Sequence, residues 1–114
     1  VTAGACYVSR WTTVHQNELK ESIKKAIEMQ GFRFIEGVSQ CPTAFGRRLG
    51  FKDAGEMLKW FKENAIPIEQ AKRMSEEELA TRIVVGEFIQ RQRPTLIENI
   101  YKTIEEARKH PEEN

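Results

Sequence analysis

Cys41-Pro42, inside "EGVSQCPTAFGRR" (residues 36–48), is where residue types and spacing point most directly to chemistry. A thiolate is a soft metal ligand and a nucleophile, and proline, with its fixed φ and missing N–H, stiffens the loop that presents the sulfur. A Cys-Pro pair also closes one common run of iron-sulfur ligands. Arg47 and Arg48, six and seven residues on, could lower a nearby thiol pKa or balance the charge of a thiolate-bound cluster. They could equally be two solvated side chains. By residue type alone a single cysteine is more often a small buried apolar residue than a ligand. A standard cluster needs four thiolates, and this chain owns only Cys6 and Cys41. The remaining ligands would have to come from outside these residues. A Cys6–Cys41 disulfide has no support beyond the count, and redox sensing by the Cys41 thiol is a third option.

The other reactive types carry less. His15 and His110 have no carboxylate, cysteine or histidine at a spacing diagnostic of zinc or of a catalytic dyad, so both read as surface residues. "GRRLGF" around Gly46 and Gly50 matches neither phosphate-cradling pattern. The clusters "RQRP" (91–94) and "KRMSEEE" (72–78) read as solvated faces, with subunit docking as the functional option.

Elements that would position Cys41 follow from the hydrophobic pattern. "GACYVSRW" (4–11) mixes β-formers with small residues and predicts a strand. Leu19, Ile23, Ala26 and Ile27 recur at helical spacing after a cap at Thr12 or Thr13, and Gly31 ends that helix. "FRFIEGVS" (32–39) predicts a second, parallel strand, placing Cys41 at a carboxyl strand end, where ligands collect in open α/β sheets. Asp53 caps a helix through "KDAGEMLKWFKENA" with Met57, Leu58, Trp60 and Phe61 facing a core, and Pro67 breaks it. Ser75 and Glu78 have capping-box spacing, Ile83-Val84-Val85 is a third strand, and Pro94 opens a helix through Lys109 with Leu96, Ile97, Ile100, Tyr101 and Ile104 on one side. "HPEEN" frays into solvent. The expected fold is α/β: about three parallel strands with flanking helices, better suited to part of a larger sheet than to a complete one.

The whole chain sets outer bounds. Its 114 residues fit one domain, 1–114, and a net charge of +1 supplies no strong field toward nucleic acid or anionic lipid. No apolar run approaches the roughly 20 residues of a membrane helix, which makes a cytoplasmic protein the default. Because residue 1 is valine and a strand pattern begins almost at once, a piece of something longer is expected.

Taken in order, "ACYVSRWTT", "GFRFIEGVSQCPTAFGRR", "EMLKWFKENAIPIEQAKRMSEEEL" and "IVVGEF" resemble the C-terminal part of the β subunit of 2-oxoacid:ferredoxin oxidoreductases, most closely the 2-oxoglutarate type. "SQCPT", preceded by "RWTT", is the most specific element. The resemblance implies a thiamine-diphosphate-binding type of fold. It implies a subunit that carries thiamine diphosphate, magnesium and one 4Fe-4S cluster, in an enzyme that decarboxylates a 2-oxoacid onto coenzyme A and passes electrons to ferredoxin. The implied partners are an α subunit, further subunits and ferredoxin. Cys41 is the one residue carried over, as the last of four cluster ligands, while Cys6 stands where relatives are expected to have threonine. The family's Gly-Asp-Gly and its asparagine, which hold magnesium and diphosphate, are not in these residues, and neither is the upstream Cys-x-x-Cys. The chain alone is therefore expected to retain no cofactor and to be inactive. "EFIQRQRPTLIENIY" matches more loosely and yields no docking expectation. The competing reading is a stand-alone α/β interaction module with two structural cysteines.

Overall fold

The computed structural model describes residues 1–109; His110 and the rest of "HPEEN" lie outside the described residues. In chain order the elements are β1 (Tyr7–Thr12), α1 (Gln16–Glu28), β2 (Arg33–Val38), a π-helical turn (Pro42–Gly46), α2 (Arg47–Leu49), α3 (Ala54–Asn64), β3 (Ala65–Pro67), α4 (Ile68–Ala71), α5 (Glu76–Leu79), β4 (Ile83–Gln90) and α6 (Leu96–Lys109). The four strands form one sheet in the order β2-β1-β4-β3. The α/β class is as expected from the sequence.

Two features of the sheet differ from the three-strand reading. The apolar run at 83–85 extends to Gln90 and lies antiparallel to β1, with a register shift between Val8 and Ser9. The helix ends at Asn64, ahead of Pro67 as expected, but the residues up to Pro67 form a short strand: Ala65–Pro67 pairs parallel with Ile83–Val85. Three residues are too few to show alternation, and proline is tolerated at a sheet edge because it lacks only a donor that the edge does not use. The expected parallel pair is present, with Tyr7 opposite Arg33 and Thr12 opposite Val38.

Local chemistry accounts for the helix ends. Asp53 accepts from the Glu56 amide at 2.9 Å, and Ser75 with Glu78 forms the reciprocal capping box. The last helix starts two residues after Pro94, because Thr95 accepts from the Glu98 amide and its own amide donates to the Glu98 carboxylate. At α1 neither Thr12 nor Thr13 is the cap. The position before the helix is His15, whose Nδ1 lies 2.8 Å from the Thr12 hydroxyl, so the half-buried His15 is tied to β1 rather than lying free on the surface. Gly31 adopts a positive φ of 90°, and a Cβ there would collide with Cys6 Sγ. Cys6 is thus a buried packing residue at the foot of β1.

Only part of the stripe its aliphatic residues mark turns inward on α1: Ala26 is buried with Ser22 and Leu19 is half-buried, while Ile27 is 74% exposed and Ile23 44%. A polar network fixes this rotation. The buried Tyr7 hydroxyl donates to the Glu87 carboxylate at 2.9 Å and meets the Ser22 hydroxyl at 2.9 Å, which also accepts from the Trp11 indole at 2.6 Å. Lys25 completes it through both Glu87 oxygens at 2.7 and 2.8 Å. Partial burial pushes the Glu87 carboxyl up, but Lys25 and Tyr7 outweigh it and hold the group below the ordinary 4.5, while the Glu87 contact raises Lys25. A depressed carboxyl stabilises the fold above its unfolded value and loses that contribution as pH falls through the folded value; the raised ammonium contributes below 10.5 and fails only above it. Thermal midpoints should therefore fall in Glu87→Gln near neutral pH, and the gap to wild type should close below about pH 4.5. A gap independent of pH would mean that the ion pair is not what the substitution removes.

Candidate functional site

Cys41 lies just beyond the carboxyl end of β2, exposed, in extended conformation at the N-terminal end of the Pro42–Gly46 turn. Its sulfur is 3.6 Å from the Thr43 hydroxyl. That hydroxyl, then the amides of Ala44 and Phe45, draw the thiol pKa below its ordinary value of 9.0, because hydrogen-bond donors favour the anion. The turn itself therefore supplies the donors that favour the thiolate. The reading of Cys41 as a small buried residue fails here, since its thiol is open to solvent, and both cysteines are free. The sulfur is held in a form and place suited to ligation or nucleophilic attack.

The two motifs singled out in the sequence meet in space. Thr13 of "RWTT" donates its amide to Val38 at 3.0 Å and its hydroxyl to the side chain of Gln40 at 2.7 Å. Arg10 and Glu36 pair across β1 and β2 at 2.6 Å. The segment that leads into Cys41 is thus tied at two levels to the neighbouring strand. Sequence reading placed both motifs but could not supply this link, because the hydroxyl and amide partners are 27 residues apart.

Beneath the turn, aromatic packing replaces a plain loop. Phe45, Phe51 and Trp60 form a triangle with ring centroids 6.1 to 6.4 Å apart, and Trp60 meets the buried Phe61 at 5.8 Å. Gly46 has no side chain where a Cβ would come within 3.0 Å of Met57 Sδ, and its amide closes the turn on the Cys41 carbonyl at 2.9 Å. Met57 and Phe61 are buried as the helical spacing predicts, with Trp60 and Leu58 half-buried. Met57 beneath Gly46 and Trp60 against Phe45 seat the turn on α3.

The donor set limits what can be held. Among the described residues no three His, Cys, Asp or Glu side chains converge on a metal position. The exposed Cys41 thiol is a donor of the type a 4Fe-4S cluster uses, one where such a cluster needs four. Among the described residues no cluster of carboxylates is present that would hold magnesium.

No family model matches the chain. Three curated relatives do, each named 2-oxoglutarate synthase subunit KorB. That of Methanocaldococcus jannaschii is 50% identical over 108 residues, which are 95% of this chain and 40% of the relative. Those of Methanothermobacter marburgensis and Methanothermobacter thermautotrophicus are 48% and 45% identical, each over 91% of this chain and 36% of the relative. The chain spans about 40% of the length of these relatives. Among solved structures, 2-oxoglutarate:ferredoxin oxidoreductase from Magnetococcus marinus, with 2-oxoglutarate, coenzyme A and succinyl-CoA bound, superposes with a TM-score of 0.64 at 25% identity. That likeness covers 93% of this chain and 36% of the solved one. The resemblance read from "SQCPT" and its neighbours is thereby borne out.

Proposed function

We propose that this chain is the C-terminal portion of the β subunit of a 2-oxoglutarate:ferredoxin oxidoreductase and that Cys41 supplies one thiolate to its 4Fe-4S cluster. The observation that carries the reading is the exposed Cys41 sulfur at a strand end, flanked by donors that favour its anion. Similarity at 50% identity to a subunit of 2-oxoglutarate synthase supports the reaction and the substrate.

Such a cluster, when bound, relays electrons one at a time toward ferredoxin. The part of this chain in that task is positional. Proline and the closed Pro42–Gly46 turn fix the sulfur, Thr43 and the turn amides stabilise the thiolate, and the Thr13–Gln40 bond holds the approach from β2. Donors near a ligating sulfur also make a cluster easier to reduce by offsetting its negative charge. Thiamine diphosphate, magnesium and the remaining thiolates belong to the part of the subunit outside these residues, so the isolated chain is inactive. In the complete enzyme the partners are an α subunit, further subunits and ferredoxin, with coenzyme A and the 2-oxoacid as substrates, in the cytoplasm. Among the described residues no helix is long and apolar enough to cross a membrane.

The test is to produce the complete subunit with its partner subunits and measure ferredoxin reduction that depends on both 2-oxoglutarate and coenzyme A. Succinyl-CoA should form in step with reduced ferredoxin. Turnover with pyruvate alone would keep the family and overturn the substrate. No turnover with any 2-oxoacid would overturn the reading.

A further inference from the structure

Among the described residues, the Thr43 hydroxyl is the one side-chain group hydrogen-bonded to the Cys41 sulfur, at 3.6 Å. A thiol and a hydroxyl can each donate, so in the free chain either direction is open. A ligating sulfur is a thiolate with no proton to give, and the hydroxyl must then be the donor. The amides of Ala44, Phe45 and Thr43 also favour the anion. They belong to the backbone, however, and almost any residue at those positions would supply them. The hydroxyl comes from the side chain, and only threonine or serine carries one at this reach.

The turn does not need that hydroxyl for its own closure. Thr43 is exposed, and among the described residues its hydroxyl has no partner other than the sulfur. Other groups hold the turn: the Gly46 amide on the Cys41 carbonyl at 2.9 Å, Met57 beneath Gly46, and Phe45 against Trp60. Branching at Cβ restricts χ1, which keeps the Thr43 hydroxyl beside Sγ more firmly than a serine would.

We infer that Thr43, by donating its hydroxyl to the Cys41 sulfur, raises the reduction potential of the cluster that Cys41 ligates and so sets the driving force for passing electrons to ferredoxin. The inference rests on the function proposed above and names the residue that regulates that site. Reduction adds negative charge, part of it on the thiolate sulfurs, and a hydrogen bond to a more negative acceptor is stronger. The donor therefore stabilises the reduced form more than the oxidised one.

In the complete enzyme, Thr43→Val keeps the branched shape and deletes the donor. Its iron content should equal wild type, while reduction becomes about tenfold less favourable, a fall of about 59 mV for one electron. A redox titration followed by electron paramagnetic resonance reads this shift directly. Thr43→Ala should match Thr43→Val, which separates the lost donor from a change in bulk, and Thr43→Ser should restore most of the potential. An unchanged or raised potential in Thr43→Val at full iron content would overturn the inference. Loss of iron in both Thr43→Val and Thr43→Ala would also overturn it, since the hydroxyl would then hold the ligand in place instead of tuning it. The proposed function fails by a different sign: a wild-type subunit that carries no cluster, or full iron content in Cys41→Ser.

Discussion

Cys41→Ser in the complete subunit should strip or degrade the iron-sulfur cluster and drop 2-oxoglutarate-dependent ferredoxin reduction to about a hundredth or less of wild type, since even losing an outer-shell partner costs 10- to 100-fold. Serine keeps the shape of the turn, so the change removes a soft ligand and little else. Thr43 and the amides that steady the thiolate would face a neutral hydroxyl. Two measurements check this: iron per subunit, and the near-ultraviolet and visible absorption of the cluster. If both match wild type and electron transfer persists, Cys41 leaves the ligand set. The side chain is exposed in this chain, so a fall in the thermal midpoint of the variant should track the iron lost.

Much of this site was legible because it depends on local rules. A strand followed by Cys-Pro puts a stiffened sulfur at a carboxyl strand end, and the structure places Cys41 there. Caps at Asp53 and Ser75 follow from residue type and a three-residue spacing, and both are present. What was not legible depends on groups far apart in sequence. The sheet's antiparallel pairing of Tyr7 with Gln90 spans most of the chain, and periodicity carries no strand direction. The rotation of α1 is decided by Glu87 and Tyr7, which pull Ser22 and Lys25 inward and leave Ile27 outside. Hydrophobic spacing marks which residues share a face, not which face another element will claim. The same ambiguity governs α6, whose apolar residues the sequence places on one side and the described residues leave exposed.

Phe61→Ala should cost about 3 to 5 kcal/mol of stability, the range for removing a fully buried phenylalanine, and so a large part of the 5 to 15 kcal/mol that holds a domain together. The reasons are particular to this position. Phe61 is 2% exposed, lies one residue past Trp60, and shares the α3 core face with Met57, which packs under Gly46. Truncation leaves a cavity beside the aromatic triangle, at the end of the helix that leads directly into the short strand β3 and its parallel pairing with β4. In urea, with a slope near 1.5 to 2 kcal/mol per molar, the midpoint should drop by roughly 2 M. Ile27→Ala is the informative comparison. Helical spacing alone gives Ile27 and Phe61 the same standing as core residues, yet Ile27 is 74% exposed and its truncation should shift the midpoint by less than about 0.3 M. Equal losses would mean that Ile27 is covered in solution and that α1 packs by its aliphatic stripe. A loss confined to Phe61 would put the packed face on α3, where Met57 and Phe61 are buried, and leave the aliphatic end of α1 outside the core.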